Sequence, residues 1–185
     1  MPSRFEPFAG LRYDTALVSM DDVIAPPYDV VSPLERSLLA SRSPYNSIRV
    51  ELPDESDGPG GDRYALAAAE LESWEATGAL RRDDTPTLYV YRMTYEEQPG
   101  VARSTTGVIG ALGIDALGNA VLPHERTMPK PKGDRLELLR ACRANLSPIW
   151  GLSLAAGLAD ACAEVASRKA PVATARDGEG TTHEL

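Results

Sequence analysis

The stretch that decides the fold is Thr87-Leu88-Tyr89-Val90-Tyr91-Arg92-Met93-Thr94-Tyr95, followed by a turn at Glu96–Gly100 and a second run at Arg103–Ile114. Side chains alternate in character along the first run, as in a β-strand with one face towards a core. The turn between the two runs predicts an antiparallel hairpin, and Ala120–Pro123 is interpreted as a third strand. The sequence therefore predicts an α+β fold (mixed α/β), with an antiparallel, meander-containing sheet and three to four helices packed on it.

Three glycines recur at every third position of the second run, namely Gly107, Gly110 and Gly113. A glycine inside a strand marks a bulge, or a place where another backbone or a ligand approaches closely. No strand–loop–helix context surrounds these glycines, so we do not interpret them as a phosphate-binding loop.

Four segments outside the hairpin have helical patterns. Ser32-Pro33-Leu34-Glu35 combines an N-cap serine, a proline at the first helical position and a glutamate at the third, which predicts a helix from Pro33 to about Ser41. Asp62–Thr77 is an alanine-rich helix that ends at Gly78. In this second helix, Leu71 and Trp74 are expected to form the buried face. Two further helices are predicted, one that runs from an N-cap at Asp134 to about Arg143 and one at Ala159–Arg168.

Shorter strands are predicted from the same kind of alternation. In Ser47–Leu52, the apolar residues Ile48, Val50 and Leu52 share one face of the predicted strand. The remaining predicted strands are Leu11–Tyr13, Val23–Ala25, Pro148–Leu154 with Trp150, and a terminal hairpin of Val172–Ala175 and Thr181–Leu185.

We interpret residues 1–185 as a single domain. Residues 54–62 form an acidic, glycine-rich segment that is expected to be a flexible surface loop. Residues 169–185 are the terminal hairpin, and the sequence stops inside its second strand pattern. A natural domain rarely stops inside a strand, so we expect a shortened chain.

The charge of the chain excludes some classes of function. Its formal net charge is −8, which is unfavourable for general nucleic-acid binding because that affinity comes mainly from neutralising phosphates. The window His124–Arg143 is different, since six basic and three acidic side chains give it +3 and leave −11 for the rest. Such asymmetry indicates either an anion site or simply a solvated basic helix face.

The N-terminus, the lengths of the apolar runs and the cysteines indicate the cellular compartment. Met1–Phe5 lacks the apolar core of a signal peptide, and no apolar run approaches the roughly 20 residues of a membrane span. Cys142 and Cys162 have no metal-ligand spacing and are expected to be buried free thiols, as in a reducing cytosol. We therefore expect a cytoplasmic protein with neither a membrane nor a nucleic-acid partner, while the oligomeric state stays open.

The chemistry of the sequence is concentrated in Pro123–Arg135, which joins a predicted strand end to a predicted helix start. Strand-to-helix loops commonly bind ligands in α/β proteins, and a helix N-terminus favours an anion. The segment therefore predicts a phosphate site for a small anionic ligand. We assign Arg126 and Arg135 to bidentate phosphate contacts, Lys130 and Lys132 to point-charge contacts, Thr127 to the ligand-binding set, and His124 or Glu125 to the general base acting on a hydroxyl.

A carboxylate in this segment can also hold a Mg²⁺ ion that bridges phosphate oxygens, so the expected cofactor is Mg²⁺ with a nucleotide or pyrophosphate. No protein metal site is predicted, because neither His-x-Glu nor paired-histidine spacing occurs. The alternatives at individual positions are a hydrogen-bonded structural role for His124 and a helix N-cap role for Asp134.

Several pieces of the chain, in order, resemble a known family of bacterial and archaeal proteins, domain-of-unknown-function family 1015. The resemblance covers nearly the whole chain. Its pieces are Ile24-Ala25-Pro26-Pro27-Tyr28-Asp29-Val30-Val31, Ser43-Pro44-Tyr45-Asn46-Ser47-Ile48-Arg49, Leu88-Tyr89-Val90-Tyr91, His124-Glu125-Arg126-Thr127 with Lys130, Lys132, Asp134 and Arg135, and Asn145-Leu146-Ser147-Pro148-Ile149.

The resemblance implies a function that the residues alone do not. It adds Tyr28, Asp29, Asn46 and Arg49 as neighbours of the site. Full-length members are longer than this chain and carry a later Asp-Gly-His-His-Arg motif, similar to the phosphate-handling loop of free-serine kinases in the ParB/sulfiredoxin-like group. This implies a small-molecule phosphotransferase that acts on serine. The chain corresponds to the N-terminal part of such a protein, and its Asp177-Gly178-Glu179-Gly180 is only a turn, so we expect part of a site, with ligand binding favoured over turnover.

Three functional hypotheses follow. The first is a phosphotransferase whose anion-binding part is His124–Arg135. The second is a non-catalytic anion-binding or regulatory module that uses the same segment. The third is structural, with the basic segment paired to the acidic loop 54–62 or to a neighbouring subunit.

Overall fold

A computed structural model describes residues 4–54, 62–113 and 121–122, the backbone of residues 129–185, and the side chains of that last range from Pro131 onward. The described residues combine helices with antiparallel sheets, which confirms the α+β class. Their helices are α1 (Met20–Val23), α2 (Pro33–Arg42), α3 (Ile48–Glu51), α4 (Arg63–Ala76), α5 (Pro129–Cys142) and α6 (Leu158–Arg168), and their strands are β1 (Phe5–Glu6), β2 (Leu11–Tyr13), β3 (Leu80–Arg82), β4 (Tyr89–Gln98), β5 (Val101–Ile109), β6 (Ala111–Leu112), β7 (Thr174–Arg176) and β8 (Thr182–Glu184).

The main sheet has four antiparallel strands in the order β5-β4-β8-β7. The predicted hairpin is confirmed as β4 and β5, which turn at Pro99-Gly100. The terminal hairpin is also confirmed, and its strand β8 pairs with β4 at Met93 and His183. The predicted third strand, Ala120–Pro123, lies largely outside the described residues.

Two small antiparallel pairs complete the β-structure, with β1 on β6 and β2 on β3. The side chain of Phe5 approaches the backbone closely at Gly110, where an added Cβ would lie 2.6 Å from Cζ of Phe5. This residue therefore matches the prediction that glycines in the strand mark a close approach. At Gly107, by contrast, an added Cβ would meet no atom within 4 Å.

The core lies between the helices α3, α4 and α5 and the pair β2–β3. Leu71 and Trp74 are buried on α4, as predicted, and Leu138 of α5 belongs to the same buried cluster. The rings of Tyr13 and Tyr45 each lie 6.2 Å from the ring of Trp74. This core joins α3 to α5, two elements that carry predicted site residues.

The helix signals of the sequence are confirmed at α2 and α4. Ser32 and Glu35 form a reciprocal capping box at the start of α2. Asp62 caps α4 by accepting from the N–H groups of Tyr64 and Ala65. Gly78 follows α4 with φ of +79°, the left-handed conformation that a glycine adopts without a Cβ clash.

The predicted strand Ser47–Leu52 is wrong, because Ile48–Glu51 is a single helical turn. Asn46 starts that turn by accepting a hydrogen bond from the N–H of Ile48 at 3.0 Å. Ile48 and Val50 are still buried, since both alternation and a short turn inside a core can bury two residues in this spacing. Val23–Ala25 is likewise not a strand, and α1 ends at Val23.

Two other predictions are corrected. The helix α5 begins at Pro129 rather than at Asp134, because a proline fits the first helical turn, where backbone N–H groups have no helical acceptor. Asp134 is therefore inside the helix and is not its N-cap. Pro148–Leu154 has no regular secondary structure, and Ile149 and Leu154 are almost fully exposed.

None of the described helices has both the length and the apolar character that a membrane-spanning helix requires.

Candidate functional site

The predicted site residues fall into two groups. His124, Glu125, Arg126 and Thr127 lie outside the described residues, as does the side chain of Lys130. The structure describes the other members of the predicted site. These are Lys132 and Arg135 on α5, Tyr28 and Asp29 in a 3₁₀ turn at Tyr28–Val30, Asn46 before α3, and Arg49 on α3.

Arg135 makes the most contacts among the cations of the predicted site that the structure describes. Its Nε and Nη2 donate to Oδ2 of Asp134 at 3.0 and 2.7 Å. Its Nη1 donates to the carbonyl oxygen of Glu51 at 2.9 Å and to Oε2 of the same residue at 3.3 Å. The guanidinium carbon lies 3.8 Å from the centre of the Tyr28 ring, a cation–π contact. The group is therefore fixed in one orientation.

Asp134 connects Arg135 to α4. Its Oδ1 accepts from the hydroxyl of Tyr64 at 3.0 Å and from Nη2 of Arg63. Burial by itself raises the pKa of the Asp134 carboxyl, but the hydrogen bonds from Arg135 and Tyr64 and the charges of Arg135 and Arg63 outweigh it. The net result is a lowered pKa, so Asp134 is an anion at neutral pH.

Glu51 connects the same guanidinium to the chain after α5. Ser147 donates its hydroxyl to both carboxylate oxygens of Glu51, at 2.9 and 2.8 Å. Five separate parts of the chain thus meet around one arginine. We call this group the Arg135 cluster, and its members are Tyr28, Glu51, Arg63, Tyr64, Asp134, Arg135 and Ser147.

Asn46 and Arg49 lie two to five residues before Glu51 and make other contacts. The fully buried Asn46 donates its Nδ2 to the carbonyl oxygens of Asp22 and Ile24, at 2.7 and 3.3 Å. Arg49 donates to the carbonyl oxygen of Ala40 at 3.1 Å and pairs with Glu70 at 3.6 Å. These contacts hold α3 against its surroundings, and so hold Glu51 in place beside Arg135.

Asp29 is exposed in the 3₁₀ turn. Its neighbour Tyr28 lies on Arg135, but among the described residues no contact joins Asp29 to the cluster.

The first turn of α5 has an unusual charge. It begins Pro129-Lys130-Pro131-Lys132 and contains no acidic residue, whereas α2 has Glu35 and α4 has Asp62 at the corresponding end. Cations at a helix N-terminus oppose the helix dipole and cost about 0.3–1 kcal/mol each. The two prolines also remove two of the N–H groups that the first turn of a helix otherwise offers to an anion.

Sequence reasoning missed four members of the cluster, namely Glu51, Arg63, Tyr64 and Ser147. Arg63 and Tyr64 were interpreted only as part of a helix, and Glu51 only as part of a strand. Ser147 lies in a piece that resembles the family, which was the one signal that could have drawn attention to it. Within the described ranges, no three His, Cys, Asp or Glu residues are grouped as metal ligands would be.

Comparison with known proteins gives a family but no activity. No curated protein and no solved structure matches the chain. The profile of a family described as "Protein of unknown function (DUF1015)" matches residues 5–185, and the chain therefore belongs to that family.

Proposed function

We propose that the chain binds a phosphate-bearing small molecule at the start of α5, as the phosphate-binding part of a small-molecule phosphotransferase. The observation that carries this proposal is the position of the Arg135 cluster beside the lysine-bearing first turn of α5. The class of reaction is what the family resemblance implies, through a later Asp-Gly-His-His-Arg motif that this chain does not contain.

The charges at the start of α5 favour an anion, although the Arg135 cluster itself is balanced. Arg63 and Arg135 are balanced by Glu51 and Asp134, whose carboxylates contact them directly. Lys132 is exposed, and no ion pair joins it to another described residue. Lys130 adds a second positive charge to the same turn. The excess charge at this end of α5 is thus positive, although the chain as a whole is strongly acidic.

Arg135 can take part in binding only in a limited way. A guanidinium has five N–H donors, and four of them are engaged by Asp134 and Glu51, which leaves one on Nη2. A phosphate would therefore use this remaining donor together with the ammonium of Lys132. Alternatively, it would displace Asp134 from the guanidinium, since phosphate and carboxylate both fit its fork.

Mg²⁺ would come with the ligand. Both carboxylates of the cluster already accept hydrogen bonds from Arg135, so the described residues do not by themselves fit a Mg²⁺ ion. Magnesium in phosphate sites is often held mainly by the substrate phosphates and water.

The experiment is thermal unfolding of the full chain with pyrophosphate, ADP or ATP at millimolar concentration, with and without Mg²⁺. A ligand at 100 times its Kd stabilises a protein by about 2.7 kcal/mol. We expect Lys132→Ala to reduce the shift in Tm, and Lys169→Ala, which changes an exposed lysine far along the chain, to leave it unchanged. Arg126→Ala is expected to act like Lys132→Ala. No shift with any of the three ligands would overturn the proposal.

A second candidate is a binding module without turnover. It is favoured by the sequence, which lacks the Asp-Gly-His-His-Arg motif to which the family resemblance assigns phosphate handling. The internal pairing of Arg135 fits instead the structural hypothesis, in which the guanidinium holds α3, α4 and α5 together. Incubation with γ-labelled ATP and free serine separates the candidates. Labelled phosphoserine supports the phosphotransferase, while stabilisation by ATP without any label transfer supports the module.

A further inference from the structure

We propose that Tyr91, His183 and Asp177 form a second reactive site, in which the Tyr91 phenol is the nucleophile towards an activated acyl ester. This site lies in the main sheet, and it does not depend on the phosphate site at α5.

The three side chains form a relay. The hydroxyl of Tyr91 lies 2.6 Å from Nδ1 of His183, and Nε2 of His183 lies 3.1 Å from Oδ2 of Asp177. The Tyr91 and His183 rings are within 15° of parallel, with centroids 6.1 Å apart. A nucleophile bonded to a base, which is itself oriented by a third group, is the arrangement that activates hydroxyls in covalent catalysis.

Asp177 fixes the orientation and the tautomer of the His183 imidazole. Its Oδ1 accepts from the N–H groups of Glu179 and Thr181, at 3.0 and 2.8 Å, which directs Oδ2 towards the ring of His183. Burial by itself raises the pKa of the Asp177 carboxyl, but the hydrogen bonds from His183, Thr181 and Glu179 lower it by more. The net result is a lowered pKa, so Asp177 is ionised at neutral pH. A carboxylate at Nε2 favours the tautomer with the proton on that nitrogen, and Nδ1 is then free to accept the phenolic proton.

There is open space across the β4–β5 ladder from Tyr91. Tyr91 lies opposite Gly107 in the β4–β5 ladder, and directly paired residues point to the same face of a sheet. A Cβ added at Gly107 would meet no atom within 4 Å. Gly107 therefore leaves open space on the face of the sheet that carries the Tyr91 ring, in contrast to Gly110, whose position is filled by Phe5 and Leu88.

The chemical step is balanced by the groups present. Burial, and then the charge of Asp177, raise the pKa of Tyr91, so the phenol is protonated at neutral pH and requires a base. Its oxygen attacks the carbonyl carbon of the ester while the phenolic proton passes to Nδ1 of His183. The bond from the carbonyl carbon to the leaving oxygen then breaks, and the leaving group takes the proton from His183. The product is an acyl ester of Tyr91, which water can hydrolyse.

The experiment measures acetylation of the full chain by p-nitrophenyl acetate, with each tyrosine followed by peptide mass spectrometry. Tyr95 is the matched control, because it lies on the same face of the same strand and is 39% exposed. General base catalysis contributes about 10²-fold or more, so we expect Tyr91 to react at least about tenfold faster than Tyr95. His183→Gln should abolish the difference. Equal rates in the native protein would overturn the proposal, whether or not the variant folds.

Two further variants test access and positioning. Gly107→Leu should slow acetylation of Tyr91 by filling the space beside it, whereas Thr106→Leu, on the opposite face, should not. Asp177 is a positioning residue, and the titratable groups in contact with His183 among the described residues are Tyr91 and Asp177. Asp177→Asn should therefore slow acetylation of Tyr91, because the imidazole loses the group that orients it, and Asp177→Glu, which keeps a carboxylate, should restore part of the rate. An unchanged rate in Asp177→Asn would contradict this role.

Discussion

The two tryptophans of the protein occupy opposite environments. Trp74 is 3% exposed in the core on α4, whereas Trp150 is 58% exposed in a segment without regular secondary structure. Trp74 donates its Nε1 to Glu70 at 3.1 Å and is enclosed by the rings of Tyr13 and Tyr45. The more apolar sequence belongs to the exposed tryptophan, since Trp150 follows Ile149 while Trp74 lies between Ser73 and Glu75. The difference teaches that apolar neighbours in sequence do not bury a residue unless another element packs against it.

The same contrast holds for the residues around each tryptophan. Leu71, one turn before Trp74, is 7% exposed, whereas Leu152 and Leu154 are 90% and 102% exposed. An α-helix forms its backbone hydrogen bonds internally, so α4 requires from the rest of the protein only an apolar surface against which its apolar face can pack. A strand needs a partner for its backbone, and within the described part of the chain the segment 148–154 has none.

The largest expected effect comes from Trp74→Ala. Removing a buried tryptophan side chain costs about 3–5 kcal/mol, because the transfer free energy is lost and a cavity remains. We expect the free energy of unfolding, measured by urea denaturation, to fall by this amount. The matched change Trp150→Ala should leave it nearly unchanged, and a similar loss in the two variants would break the comparison.

An intermediate effect on stability is expected when acid protonates Asp83. This residue follows β3, and its carboxylate pairs with Arg12 of β2. Two nitrogens of Arg12 and the hydroxyl of Tyr89 donate to this carboxylate. The hydrogen bonds from Arg12 above all hold the pKa of Asp83 below its usual value. The resulting stabilisation is present above the unfolded pKa of about 3.9 and is lost as the pH falls through the lower folded pKa.

The measurement is the urea midpoint at pH 7 and in steps below pH 4. The midpoint should fall over this acidic range, and Asp83→Asn should flatten that part of the dependence. Asp84→Asn is the control, since it changes the adjacent exposed carboxyl for which no partner is seen in the described structure. Equal acid profiles for native protein and Asp83→Asn would assign the loss to other groups.

The smallest expected effect on stability comes from changing Leu154, an exposed residue in the same segment as Trp150. Leu154→Ser should change the free energy of unfolding by no more than about 0.5 kcal/mol, as for other surface substitutions. It should also lower the tendency to associate at high concentration, which light scattering can follow, because exposed apolar patches promote association. A loss of several kcal/mol would show that Leu154 is buried in solution.

The sequence predicted elements well where the signal was local. The capping box at Ser32, the Asp62 cap and the Gly78 stop each depend on residues within one turn, and the structure confirms all three. The β4–β5 hairpin also depends on local alternation and a turn. Predictions failed where two structures share one pattern. Ile48 and Val50 suit a strand or one helical turn, and the buried amide of Asn46 is what starts the helical turn.

The candidate site divides in the same way. The basic residues at the start of α5 could be found from charge alone, and Tyr28 from the family resemblance. Glu51, Arg63 and Ser147 could not, because they approach Arg135 only after α3, α4 and the chain following α5 pack together. The relay of Tyr91 and His183 joins residues more than 90 positions apart, and no local pattern indicates such a contact.

The sequence by itself determined the α+β class, the bounds of α2 and α4, the central hairpin, the acidic character of the chain and the basic start of α5. These properties follow from backbone propensity, capping and charge, which act over a few residues. Only the tertiary structure decided which carboxylates meet Arg135, which tryptophan is buried and which histidine nitrogen faces Tyr91. Those contacts depend on long-range packing, where the position of one side chain is set by several distant elements at once.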